Sequence, residues 1–227
     1  MARYWDDRAQ ENALWYVDTS LDYDHPDMDH FLATGWEILR EALLDAPVQP
    51  ATKGVAVEIG CGVGRICRAL TEQFEQVIGI DISETMVARA RQLVPSARFE
   101  VGTDLSAVAD DSADFVTSFT VFQHMPRAAL IDAYVAEAGR VLRSGGVFAA
   151  QWNNLPHPWR WKARGVWWRL RHRVGGRFAL DQRVAPQFVG MRLPFDDMAD
   201  MVRRAGLEVQ ATAKLGTLYA WVWATKP

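Results

Sequence analysis

Cysteine is scarce in this 227-residue chain, which holds only Cys61 and Cys67. Two thiols at that spacing make neither a disulfide framework nor a zinc-ligand pattern, so a reducing compartment is expected. Long apolar runs are missing too: stretches such as 115–122 hold about eight residues, against roughly 18 for a membrane span. The first residues, MARYWDDRAQEN, are acidic and lack a basic region followed by an apolar one, so no signal peptide is read and a cytoplasmic location is expected. Charge of one sign is not in excess. With 28 acidic and 25 basic residues the formal net charge is −3, which argues against a protein that coats nucleic acid with its whole surface. Repeats and low-complexity stretches are absent, and 49% apolar with 23% charged residues excludes a disordered chain. Tryptophan, at ten, is what the chain has in plenty.

Between residues 55 and 152, short apolar runs alternate with helix-period segments, the pattern of βαβ units on a parallel sheet. Strands are expected at 55–59, 76–80, 98–101, 114–119 and 147–152. The helices between them include one capped by Ser83 and one from Ile131 to Leu142, the latter ended by Ser144-Gly145-Gly146. A helix opened by Pro194 and closed by Gly206 then leads into two alternating strands, 207–213 and 218–224, turning near Gly216. Another helix is expected at 28–45. The fold class is therefore α/β, doubly wound, with a mostly parallel sheet, an antiparallel end and helices on both faces. The whole chain, 1–227, reads as one domain, with an N-terminal arm and helix (1–45) and an insertion (153–193) that fits neither pattern.

The turn after the first strand carries Gly60-Cys61-Gly62-Val63-Gly64. Glycines there let backbone N–H groups approach a ligand at a helix N-terminus. Asp81 ends the second strand, where a carboxylate can accept hydrogen bonds from ribose hydroxyls. A dinucleotide fold usually reads G-x-G-x-x-G, whereas here the third glycine comes one residue early and Glu58 precedes the loop, so a different nucleoside ligand is favoured. Asp104, just past the third strand, is placed to accept from an adenine amino group.

Taken together, Glu58 to Gly64, Asp81, Gly102-Thr103-Asp104-Leu105, the strand running into Val121-Phe122-Gln123-His124-Met125, and Gly139 to Gly146 resemble the class I S-adenosylmethionine-dependent methyltransferase family, small-molecule type. The resemblance implies a seven-stranded sheet whose last strand is antiparallel, with S-adenosyl-L-methionine over the edges of its first strands. Glu58, Gly60, Cys61, Gly62 and Gly64 would hold the methionine part, Asp81 the ribose, and Ile82, Asp104 and Leu105 the adenine, with Phe119 near the methionine moiety. No metal is implied. Transfer of an activated methyl to an O, N or C nucleophile needs alignment and exclusion of water. His124 is the candidate general base, since its pKa suits proton abstraction near neutrality; the alternative is that it only orders the turn. The acceptor is expected to be small and hydrophobic or aromatic. The fourth-strand exit lacks the Asn/Asp-Pro-Pro-Tyr/Phe turn of many adenine or glutamine amino-group methyltransferases and the Pro-Cys pair used for covalent attack on cytosine, which argues against a nucleic-acid substrate. An NAD(P)-dependent oxidoreductase and a non-catalytic membrane-binding module are the alternatives.

The insertion is the most individual segment. Five tryptophans fall in 152–168, and 157–177 holds seven Lys or Arg and no acid, arranged as a basic amphipathic helix. It reads as a substrate lid, a peripheral contact with a membrane that would deliver a lipid or quinone, or a nucleic-acid contact. Residues 1–30 carry eight acids against Arg3 and Arg8. Such an arm could be drawn to the insertion across the cleft, with Trp5, Trp15, Tyr16 and Tyr23 forming one wall of the acceptor pocket and Trp152, Trp159 and Trp161 the other. Tyr16, Trp152, Trp159 and Trp161 are the acceptor-binding candidates. The oligomeric state is not legible.

Overall fold

A computed structural model describes residues 1–156 and 190–227. The central sheet is built from β1 (Val55–Ile59), β2 (Gln76–Asp81), β3 (Arg98–Val101), β4 (Ala113–Ser118), β5 (Leu142–Trp152), β6 (Glu208–Ala213) and β7 (Ala220–Thr225), in the order β3-β2-β1-β4-β5-β7-β6. β1 pairs parallel with β2 and β4, β2 with β3, and β4 with β5, while β7 runs antiparallel to both β5 and β6. The expected seven strands and antiparallel end are present. Strand order reverses between β1 and β4, and in open α/β sheets ligands bind outside the carboxyl edge at such a point.

Strand composition follows burial. All six residues of β4, Ala113 to Ser118, and most of β1 and β2 are covered on both faces, which is why they read as continuous rather than alternating apolar runs. Asp114, buried at the start of β4, accepts from Val55 N at 2.7 Å and from Thr52 Oγ1, tying β4 to the entry of β1.

The helices are α1 (Ala2–Val17), α2 (Met28–Leu39), α3 (Arg65–Leu70), α4 (Glu84–Leu93), α5 (Ala128–Val141) and α6 (Phe195–Arg204). Asp27 caps α2 by accepting from the N–H groups of Asp29 and His30, and Ser83 caps α4 by accepting from Met86 N. One side of the sheet packs on α5 and α6 through Ile131, Val135, Ala138, Met198 and Val202, and the other on α2, α3 and α4 through Leu39, Ile66, Leu70, Val87 and Ala90.

Three expectations need correction. The helix read over 28–45 widens at Arg40–Leu44 into a π-helical turn, and the carbonyl of Ala42 there accepts the Trp223 indole N–H at 2.9 Å. Ser144-Gly145-Gly146 does not end α5. That helix stops at Val141, and the three residues lie inside β5, where the register with β4 slips between Ala113 and Phe115. The arm, read as an acidic segment carrying aromatic pocket residues and given no element before residue 28, is helical, broken at Asn12, whose amide donates to Tyr23 O and whose Oδ1 accepts from Trp15 N.

Candidate active site

The loop joining β1 to α3 is held by its own hydrogen bonds. Gly60 N and Cys61 N both donate to Ile80 O, at 2.7 and 3.1 Å, so the first turn of the loop is stapled to the tip of β2. Gly60, Gly62 and Gly64 all have positive φ, a conformation that L side chains resist. Asp81 completes the staple, with Oδ2 accepting from Gly62 N and Oδ1 from Ser83 N, both at 2.9 Å. Each oxygen keeps a lone pair. Burial pushes this carboxyl above its ordinary range, against the three backbone N–H groups that favour its ionised form.

Over this loop lies a cavity of about 340 Å³, within the range of small-molecule sites. Its floor is the carboxyl edge of β1, β2 and β4, represented by Glu58, Gly60, Cys61, Gly62, Asp81, Ile82 and Phe119. Glu58 is buried and its Oε2 has no hydrogen-bond partner among the described residues. Burial pushes its carboxyl up to about 8, with nearby Arg65 opposing the rise. The Cys61 thiol is likewise pushed up, to about 11, which leaves it protonated and unreactive at neutral pH.

The outer half is built by α1, by the turn after β4 and by the start of α5, through Trp5, Tyr16, Thr120, Val121, His124, Met125, Arg127, Leu130 and Tyr134. His124 sits in a 3₁₀ turn, Phe122–His124, and packs edge-on against Trp5 with ring centroids 5.2 Å apart. Thr120 has a φ of +56°, a strained conformation for a β-branched residue, at the point where β4 turns into the cavity. The turn is buttressed from behind by the returning chain, since Gly190 N donates to Gln123 O and Met191 N to Met125 O.

The structure thus brings Glu58, Gly60, Cys61, Gly62, Asp81, Ile82, Phe119, His124 and Tyr16 to one cavity. Four sequence-predicted residues are not among its lining. Gly64 starts α3, and a Cβ there would press on Phe99 Cζ at 3.2 Å, so this glycine serves helix packing. Leu105 has a fully buried side chain in the core. Asp104 points to solvent and accepts from Ser106 N, while its neighbour Thr103 lines the cavity. Trp152 is no part of an acceptor wall: it is completely buried and donates its indole N–H to Leu193 O at 2.9 Å, pinning the chain that returns toward α6. Trp159, Trp161 and the basic segment 157–177 lie outside the described residues. Of the four arm aromatics read as an acceptor wall, Trp5 and Tyr16 line the cavity, whereas Trp15 and Tyr23 pack on one another at 5.5 Å.

The arm's acids are engaged with the sheet's own helices. Asp6 Oδ1 accepts from Ser83 Oγ and Thr85 N at the start of α4. Asp18 Oδ2 pairs with Arg65 Nη1 at 2.5 Å, a contact with only 6% and 12% of the two side chains exposed. Sequence reasoning passed over Arg65, Thr103, Thr120, Arg127 and Tyr134. For Arg65 the local signal was a charged residue in the first turn of a helix whose other positions are apolar.

Residues 57–150 match the methyltransferase domain family. A trans-aconitate 2-methyltransferase of Variovorax paradoxus is 34% identical over 116 residues, 49% of this chain and 42% of that protein. A ubiquinone biosynthesis O-methyltransferase of Nitrobacter winogradskyi is 26% identical over 171 residues, 72% of this chain and 59% of the relative. The chain thus spans about half the length of such relatives. Among solved structures, magnesium protoporphyrin IX methyltransferase from Synechocystis with bound S-adenosylhomocysteine superposes with a TM-score of 0.66 at 15% identity, covering 100% of this chain and 97% of that one. That likeness is one of fold. The motifs around Glu58 and Asp81, the sheet order and the match over 57–150 agree, and over those residues the chain is similar to the class I S-adenosylmethionine-dependent methyltransferases.

Proposed function

We propose that this protein transfers the methyl group of S-adenosylmethionine to an O, N or C nucleophile of a small hydrophobic or aromatic molecule. One observation carries the reading. A single cavity joins a nucleoside-type floor, Glu58 to Gly62 with Asp81, to an aromatic outer half, Trp5, Tyr16, His124 and Tyr134. The residues present fit the cofactor. Glu58 offers a buried carboxyl oxygen without a partner among the described residues, able to lose its proton to meet an ammonium group, and Asp81 keeps lone pairs for two hydroxyls at the strand tip.

When bound, the cofactor supplies a methyl already activated by its sulfonium sulfur, so the chain's work is alignment and exclusion of water. Ile82, Met86 and Ile80 provide apolar surface beside Asp81, and Phe119 closes the floor at the end of β4. His124, on the outer wall, is the residue proposed to take a proton from the nucleophile. Equal transfer rates for His124→Ala and the native protein would leave it only an ordering role. Titration calorimetry with S-adenosylmethionine, S-adenosylhomocysteine and NAD tests the whole reading. Binding of the first two and not of NAD is expected; NAD binding alone would sink it in favour of an oxidoreductase. The N-terminal helix narrows the choice of acceptor. Met1, Trp5 and Tyr16 bring its apolar face over the cavity, which supports a small molecule held beneath it.

A further inference from the structure

Charge is divided unevenly within this cavity. Its two carboxylates, Glu58 and Asp81, both stand on the floor at the tips of β1 and β2. Of its two guanidinium groups, Arg65 is buried and already paired with Asp18. The other, Arg127, is at the outer rim, exposed to solvent and with no carboxylate partner among the described residues. Among the described residues no acid lines the outer half, and the first turn of α5, which Arg127 precedes as the N-cap, holds none either. Flat side chains line the same half: Trp5 edge-on to His124, with Tyr134 one helical turn beyond Leu130.

These facts define a recognition chemistry. A negative group is repelled from the inner half by Asp81 and attracted at the rim by a cation with no carboxylate partner among the described residues. A guanidinium binds a planar carboxylate through two parallel N–H···O bonds, and the aromatic walls suit a conjugated plane. We propose that the outer half takes a conjugated small-molecule carboxylate as methyl acceptor, with Arg127 as the residue that selects the charge. The carboxylate is then the handle held at the rim, and the less polar part of the molecule enters the cavity. This inference rests on the methyl-transfer reading for the word acceptor; the binding site itself stands on the charge distribution.

The test uses the full-length protein saturated with S-adenosylhomocysteine and a panel of paired probes: benzoate, trans-cinnamate and 4-hydroxycinnamate, each with its primary amide. Binding is followed by tryptophan fluorescence, since Trp5 lines the site, and by calorimetry. The acids are expected to bind about tenfold or more tightly than their amides, as a charge-assisted bidentate contact predicts. In Arg127→Gln that preference collapses, and Arg127→Lys, which keeps the charge and loses the fork, retains part of it. Affinity for S-adenosylhomocysteine, measured on each variant, reports that the cofactor half is intact. Equal binding of acid and amide, no binding of any acid at millimolar concentration, or a preference that survives in Arg127→Gln overturns the proposal. If the acid preference holds while S-adenosylhomocysteine fails to bind, the carboxylate site stands and the methyl-transfer reading falls.

Discussion

Glu58 shows how one buried side chain couples ligand binding to proton uptake. Its carboxyl is held up at about 8, against an ordinary 4.5, because burial disfavours the charge more than Arg65 restores it. The native state therefore binds a proton that the unfolded chain releases. Stability from this source is complete below the unfolded value of 4.5 and is lost as pH rises toward and through 8. Glu58→Gln removes the titration, so its melting temperature relative to the native protein should climb steadily between pH 5 and pH 9. A difference independent of pH would show that the carboxyl is not buried as described. The same residue predicts that binding a cationic amino group expels a proton below pH 8. Calorimetry of S-adenosylhomocysteine in buffers of different ionisation heat should detect that proton, and Glu58→Gln should abolish it and weaken binding about tenfold or more.

Among the elements, the clearest case is the junction between α2 and β1. A helix through 28–45 leaves the carbonyls of its last four residues, 42–45, without intrahelical partners; here Ala42 O, in the π-helical turn, accepts from Trp223 of β7, 181 residues away. Trp223→Phe keeps the apolar contact and removes the N–H. A loss of about 1–3 kcal/mol is expected from the buried carbonyl left unpaired, measured by denaturant unfolding, and an unchanged midpoint would refute the role. Helix periodicity was legible over this segment and α2 lies where Phe31 and Leu39 place it, but the turn's partner sits at the far end of the chain. The β5 entry has the same origin. Ser144-Gly145-Gly146 carries the composition of a helix stop, yet pairing with β4 draws those residues into the sheet.

At the scale of the whole molecule, the near-neutral charge conceals an acidic arm, and the fold shows what its acids do. Asp6 caps α4 and Asp18 meets Arg65 in a nearly dry contact, so the arm is fastened to the domain's own helices. Solvent-shielded pairs are weakly screened by salt. Protease resistance of the first 20 residues should accordingly be the same at about 0.05 and 1 M salt. Asp18→Ala leaves Arg65 buried and unpaired and should expose α1 to cleavage, at a cost of about 3–5 kcal/mol. Resistance that falls with salt in the native protein would mean that long-range attraction, not this contact, holds the arm. Among the described residues no helix is long and apolar enough to cross a membrane.

The sequence by itself determined the α/β class, the strands and the glycine and aspartate motifs of the cavity floor, because these are local. A buried parallel strand must be an apolar run, and the loop after it must be glycine-rich to turn at positive φ. Only the tertiary structure decided which candidates face the cavity. Trp152 and Leu105 have the composition of binding residues and were drawn into the core, since apolar area gains most where neighbours enclose it fully. Arg65 and Arg127 look alike in sequence, yet packing beside Asp18 occupies one and the rim of the cavity leaves the other facing solvent. Whether a charge is paired depends on residues brought together by folding, so the cavity's polarity could be read only once the chain had closed around it.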